Sequence, residues 1–345
     1  MNLRIKTLIV GITLLTSTLA CATVTKIFLP EETFSYPPTF VPSETPFVAP
    51  PTSTPTVVTS CPATLTEILT AATSVADVKQ TTNISKEATR IVTYEVSGDQ
   101  IGNPFYESVP LDLQDEKNDS ATHQYVWNYF TALIPQNQYD FLAKYSIMTD
   151  GENNLLAAVA QTSYDPKLWV LEVDIADIAD RANLTYTLIH EFGHLLTLNA
   201  DQVPPSVPVF NNPDDNNIFS KEVAACTNYF PGEGCSQSDS YINSFYNQFW
   251  VNIYDEWQQI NQIKDEDKYY KELDDFYITH RDQFVTDYAV TNPEEDLAES
   301  WSFFILSPMP AGNTIAEQKT LFFYAFPELV QLRNEILTNL CSVYP

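Results

Sequence analysis

A chain of 345 residues with 44% hydrophobic and 13% aromatic content can bury a sizeable core, which excludes a wholly disordered chain and a coiled coil. Its 45 acidic residues outnumber 17 basic ones, and a net charge of −28 argues against nucleic acid as a partner, because that affinity rests on Lys and Arg neutralising phosphates. Four histidines and five cysteines are so few that any clustering among them is informative.

Residues 1–20 are a short basic segment, MNLRIK, and an apolar run, TLIVGITLLTSTLA, too short to cross a membrane comfortably; together they read as an export signal. Cys21 follows at once. The arrangement resembles the bacterial lipoprotein signal, which implies cleavage before Cys21, lipidation of that residue and a position on the outer face of the cell envelope; ordinary secretion is the alternative. Thr18 departs from the larger aliphatic residue commoner three places before such a cysteine. Residues 22–60 hold Pro30, Pro37, Pro38, Pro42, Pro46, Pro50, Pro51 and Pro55 among threonines, a composition that favours extended polyproline II and reads as a semi-rigid stalk. The remaining residues, 61–345, read as one domain and as a monomer.

In an oxidising compartment Cys61, Cys226, Cys235 and Cys341 form two bridges, and three pairings are possible. Pairing Cys226 with Cys235 closes the turn-rich loop TNYFPGEG, and pairing Cys61 with Cys341 ties the ends of the body together. A zinc-thiolate site is disfavoured because CxxC spacing is absent.

The expected elements begin with a helix over residues 63–79 and a strand over Ala88 to Val96. A polar loop follows, and then an aromatic helix from Ser120 to Leu133 containing His123, which is assigned to structure. Phe141 to Met148, Leu155 to Thr162 and Leu168 to Ile175 are apolar runs separated by turn sequences and read as an antiparallel meander. Ala179 to Leu198 reads as a buried helix. Residues 203–287 add loops and two long helices, Tyr241 to Ile263 and Asp265 to Tyr288, as one wall of a cleft. The class is α+β: a small antiparallel or mixed sheet, then a mainly helical C-terminal part.

The 179–198 helix carries His190-Glu191-Phe192-Gly193-His194, an HExxH motif. Residues four apart share a helix face, so both imidazoles reach one ion while Glu191 stands beside them as general base. Zinc is the expected ion, with a third protein ligand and an open position for water. The metzincin continuation fails, since Thr197 and Ala200 occupy its further glycine and histidine positions, and Asp201 precedes Pro204 and Pro205 without a recognisable turn. Downstream, Pro293 starts a helix whose first turn holds Glu294, Glu295 and Asp296, and Glu295 shares a face with Glu299. His280 is the rival ligand but reads as a surface residue.

HExxH followed about a hundred residues later by a helix bearing Glu, with a second acid one turn on, resembles the gluzincin zinc metallopeptidases. The stretch Tyr288-Ala289, Thr291-Asn292, Glu295, Ala298-Glu299 is most similar to their lethal-factor-like branch. The resemblance covers residues 140–310 and rests on these two motifs. It implies a thermolysin-like architecture, zinc on His190, His194 and Glu295, Tyr288 on the oxyanion and peptide-bond hydrolysis. It also gives Glu299 the role of orienting a ligand imidazole, which metal chemistry expects independently. Strand Leu168 to Ile175 is expected to offer its edge to an extended peptide substrate. A catalytically silent binding protein of the same fold, and a zinc hydrolase acting on something other than protein, remain alternatives. Calcium at Asp214 and Asp215 has no motif behind it.

Overall fold

The computed structural model describes residues 61–76, 88–151 and 155–344. The signal segment, Cys21, the stalk and the last residues expected of the first helix lie outside them. The class is α+β, as the element pattern predicts. After helix α1 (Pro62–Ala76), strand β1 (Thr89–Ser97) turns through Gly98, at φ 63°, into β2 (Gln100–Tyr106). The sequence reads β2 as loop because no side chain in QIGNPFY is fully buried, so it lacks the apolar alternation that marks a half-buried strand. Next come α2 (Gln114–Asn118), α3 (Ser120–Leu133), β3 (Leu142–Thr149), β4 (Ala157–Gln161) and β5 (Trp169–Asp174).

The five strands form one sheet in the order β2-β1-β3-β5-β4. β1 is antiparallel to both neighbours, β3 and β5 are parallel, and β4 is antiparallel to β5. The expected meander is therefore not formed: β5 lies between β3 and β4, and β4 takes the edge. Runs buried on both faces carry no alternation, so the sequence held nothing to rank their neighbours. Leu168–Ile175 is therefore an interior strand without the open edge expected of it, and β4 stands at the sheet's edge.

Helix α4 (Arg181–Leu198) follows, its first turn capped by the Asp180 carboxylate, which accepts the N–H groups of Ala182 and Asn183. Every residue of α4 except Arg181 and Leu196 is buried, its polar side chains included. It packs between β4, α1 and α10 (Pro293–Leu306). Between α4 and α10 run α5 (Val207–Asn211), α6 (Asn216–Ala225), α7 (Tyr241–Phe249), α8 (Tyr254–Asn261) and α9 (Glu266–Thr279). The two long helices of the sequence reading are interrupted: Tyr241–Ile263 divides at Trp250–Ile253, and the second ends at Thr279, leaving Tyr288 in a single 3-10 turn. Buried Trp250 and Trp257 meet edge-on at 5.9 Å across this break.

Helices α11 (Ile315–Phe322) and α12 (Pro327–Val343) close the body against α10. Lys319 of α11 is fully buried and pairs with Asp296 of α10 at 2.6 Å, over the ring of Phe284 at 4.1 Å. Both expected disulfides are present. Cys61–Cys341 joins the start of α1 to the end of α12, and Cys226–Cys235 closes the loop after α6.

Candidate metal centre

Two buried helices bring the site together. α4 supplies His190, Glu191 and His194 from adjacent turns, and α10 supplies Glu295 and Glu299. Their separation is set at Gly193, where a Cβ would come to 2.9 Å from Trp301 Cδ1 and 3.3 Å from Ala298 Cα. Only a glycine lets α10 approach this closely. At the head of α10, the Asn292 side chain accepts the N–H of Glu295 at 2.7 Å, which fixes the turn that presents the carboxylate.

The three predicted ligands converge. His190 Nε2 lies 3.0 Å from Glu295 Oε2, His194 Nε2 lies 3.3 Å from the same oxygen, and the two Nε2 atoms are 3.1 Å apart. Ligand atoms about 2.0–2.1 Å from a tetrahedral zinc stand about 3.3–3.4 Å from one another, so these three fit one ion. Glu295 and His194 are almost wholly buried, and Glu295 Oε1, His194 Nδ1 and Glu191 Oε2 have no hydrogen-bond partner among the described residues. Two facing imidazole nitrogens and a desolvated carboxylate form a donor set that a divalent cation satisfies and water alone does not.

Glu299 lies between His190, Tyr186 and Thr286. Its Oε1 lies 2.8 Å from His190 Nδ1, and its Oε2 accepts Tyr186 Oη–H at 2.9 Å and Thr286 Oγ1–H at 2.6 Å. With Nδ1–H donated to Glu299, the His190 Nε2 lone pair points at the other ligands. Tyr186 and Thr286 were missed by the sequence reading, although Tyr186 sits four residues before His190 on the same helix face, a signal that was there to use.

The electrostatics follow the geometry. Burial opposes charge on His190, but Glu295 and Glu299 outweigh it and hold the imidazole well above its ordinary pKa. Burial likewise opposes charge on Glu295, and His194 and His190 reverse it, holding this carboxyl far below the usual range. Desolvation pushes Glu191 up.

β4, the buried edge strand of the sheet, passes the site. Asp174 N–H bonds Leu156 O and Thr162 N–H bonds Leu168 O, so even-numbered residues carry the ladder to β5. Odd-numbered residues turn their N–H groups outward, and that of Val159 reaches the Glu191 carboxylate. Tyr288 stands on the other side, half exposed, its ring 6.1 Å from that of His190.

Two carboxyl groups with raised pKa values were unforeseen by the sequence reading. Glu233, in the loop closed by Cys226–Cys235, is buried, and desolvation raises its pKa to about 7. Glu294 is raised to about 8, first by desolvation and then by Glu233, and its Oε1 accepts Tyr229 Oη–H at 2.9 Å.

Other candidates are used elsewhere. His280 Nε2 meets Glu256 at 3.0 Å and its Nδ1 meets Gln283 at 2.9 Å. His123 is fully buried between Tyr94 Oη and Glu116 O, each at 2.8 Å, the structural role expected of it. Asp215 caps α6 through the N–H groups of Asn217 and Ile218, and among the described residues neither it nor Asp214 belongs to a group able to surround an ion. Asp150, Asp174 and Asp177 do lie within 4.8 Å of one another, with Asp174 accepting the N–H groups of Asp150 and Ala176. Comparison with family models, with characterised proteins and with solved structures gives no match to this chain, so the site is read on its own chemistry.

Proposed function

We propose that this protein is an exported zinc-dependent endopeptidase of the gluzincin type, with His190, His194 and Glu295 as ligands, Glu191 as general base and Tyr288 on the oxyanion. The observation that carries the reading is the convergence of those three ligand atoms beside Glu191 on a buried helix. Zinc, when bound there, supplies Lewis-acid polarisation of a water and of the scissile carbonyl. The substrate of this reading is an extended peptide lying beside β4, the edge strand of the sheet next to the site. Glu191, desolvated and therefore a stronger base than an ordinary glutamate, takes a proton from the attacking water and delivers it to the leaving amine. The Tyr288 hydroxyl donates to the oxygen on which charge develops. Glu299 holds the His190 ring in the tautomer that ligation requires.

Two disulfides support a place outside the reducing cytosol, and the reading takes Cys21 as the lipid anchor of an envelope protein. Among the described residues no helix is long and apolar enough to cross a membrane.

Glu191→Gln tests the mechanism. The variant is expected to keep one zinc per chain and to lose about 10²–10⁴-fold in peptide hydrolysis. A zinc-loaded variant that still cleaves at the wild-type rate removes Glu191 from its role. A zinc-loaded wild-type chain that cuts nothing in a diverse peptide library favours a silent binding protein instead.

A further inference from the structure

β3 and β5 run parallel, so their C-terminal ends lie side by side, and three carboxylates that the chemistry above does not use gather there. Asp150 follows β3, Asp174 ends β5, and Asp177 stands between β5 and α4. One oxygen from each lies within 4.8 Å of the other two. Asp174 is fully buried and accepts the N–H groups of Asp150 and Ala176, each at 2.7 Å, and Asp150 is 6% exposed. Asp177 Oδ2 is buried without a hydrogen-bond partner among the described residues, and no Lys or Arg of those residues forms an ion pair with Asp174 or Asp177. Desolvation, then Asp174 and Asp150, raise the Asp177 pKa to about 6, which leaves the carboxyl charged at neutral pH. A cavity of about 10 Å³ adjoins the cluster, room for about one water or ion, lined by Leu156, Asp174, Asp177, Asn183, Leu184 and Thr187. Asn183 and Thr187 are 9% and 7% exposed, and neither side chain makes a hydrogen bond to another described residue. An amide and a hydroxyl buried in this way cost free energy that a ligand in the cavity returns.

We propose that this place holds one calcium ion, on carboxylate oxygens of Asp150, Asp174 and Asp177 and the side-chain oxygen of Asn183, with water completing the shell. The donors are all oxygen, which suits a hard cation and separates this site from the imidazole-bearing centre of His190 and His194. Oxygens about 2.4 Å from one calcium stand up to about 4.8 Å apart, whereas magnesium at about 2.1 Å draws its ligands closer and demands an octahedron. The ion ties the ends of β3 and β5 to the first turns of α4, the helix that carries the HExxH residues, and Thr187 precedes His190 on it by less than a turn. The proposal does not depend on the peptidase reading.

The test is calcium titration of the zinc-loaded full chain by calorimetry, with thermal melts in parallel. The expected result is one calcium per chain beside the zinc, with Kd on the order of 10⁻⁴ M, and a melting temperature higher by about 5 °C in about 10 mM calcium. Asp177→Asn removes a charge from a side chain that accepts no hydrogen bond among the described residues, so the fold loses no contact. It should bind calcium at least about tenfold more weakly with zinc content unchanged, and without calcium it should melt no lower than wild type, because a like-charge repulsion is gone. Asn183→Ala should also lose about tenfold in calcium affinity. No calcium uptake, unchanged affinity in either variant, or an equal shift with magnesium overturns the proposal.

Discussion

His190 is held at both ring nitrogens by carboxylates, Glu299 at 2.8 Å and Glu295 at 3.0 Å, and that arrangement sets how the site meets a metal. Glu295 and Glu299 hold the imidazole pKa well above its ordinary value, so protonation of His190 competes with metal binding. A cation requires the Nε2 lone pair, so loading the site releases a proton. The sign is fixed: affinity rises with pH until the raised His190 pKa is passed, and falls on acidification. Calorimetric titration of zinc at pH 7 in buffers of different ionisation heat should show proton release, smaller in Glu299→Gln, with affinity in that variant down about 10–100-fold. Zinc uptake without proton release at pH 7 would contradict the assignment. At this scale the sequence was most legible, because HExxH and Glu295/Glu299 are pairs at helical spacing and local geometry alone puts them on one face. Glu233 was not, because the burial of a loop residue is decided only by contacts formed by the whole fold.

At the scale of elements, the centre depends on how closely α4 and α10 lie. Neither helix holds a complete ligand set, and Gly193 governs their approach. Gly193→Ala is expected to destabilise the protein by about 1–3 kcal/mol through overpacking against Trp301, despite the higher helix propensity of alanine. By moving Glu295 away from the histidines it should also weaken zinc binding. Thermal melts with and without zinc measure both effects; a variant as stable and as tight as wild type would show that the helices yield without cost. The glycine was visible in the motif, but its purpose was not, since the sequence does not say which side chain faces it. Strand order was hidden for a related reason: β3, β4 and β5 are buried along most of their length, so no alternation in the sequence ranks their neighbours. The disulfides were easier, as four cysteines allow only three pairings and Cys226 and Cys235 are near neighbours in sequence.

For the whole molecule, the two bridges act on very different lengths of chain. Cys61–Cys341 spans 280 residues and Cys226–Cys235 spans 9. Chain-entropy reasoning gives roughly 5–6 kcal/mol for the long loop and roughly 2.5 kcal/mol for the short one. Replacing Cys61 and Cys341 by serine should therefore lower the unfolding free energy by about twice as much as replacing Cys226 and Cys235, as read by denaturant titration. Equal losses would mean that the short bridge also holds native structure, such as the Glu233 loop, against local opening. The long bridge also sets how the body bears load. A pull between the two ends of the chain enters at Cys61 and leaves at Cys341 through one covalent bond. The sheet, the two ligand-bearing helices and everything else between those cysteines stay off the line of tension for as long as that bond is oxidised.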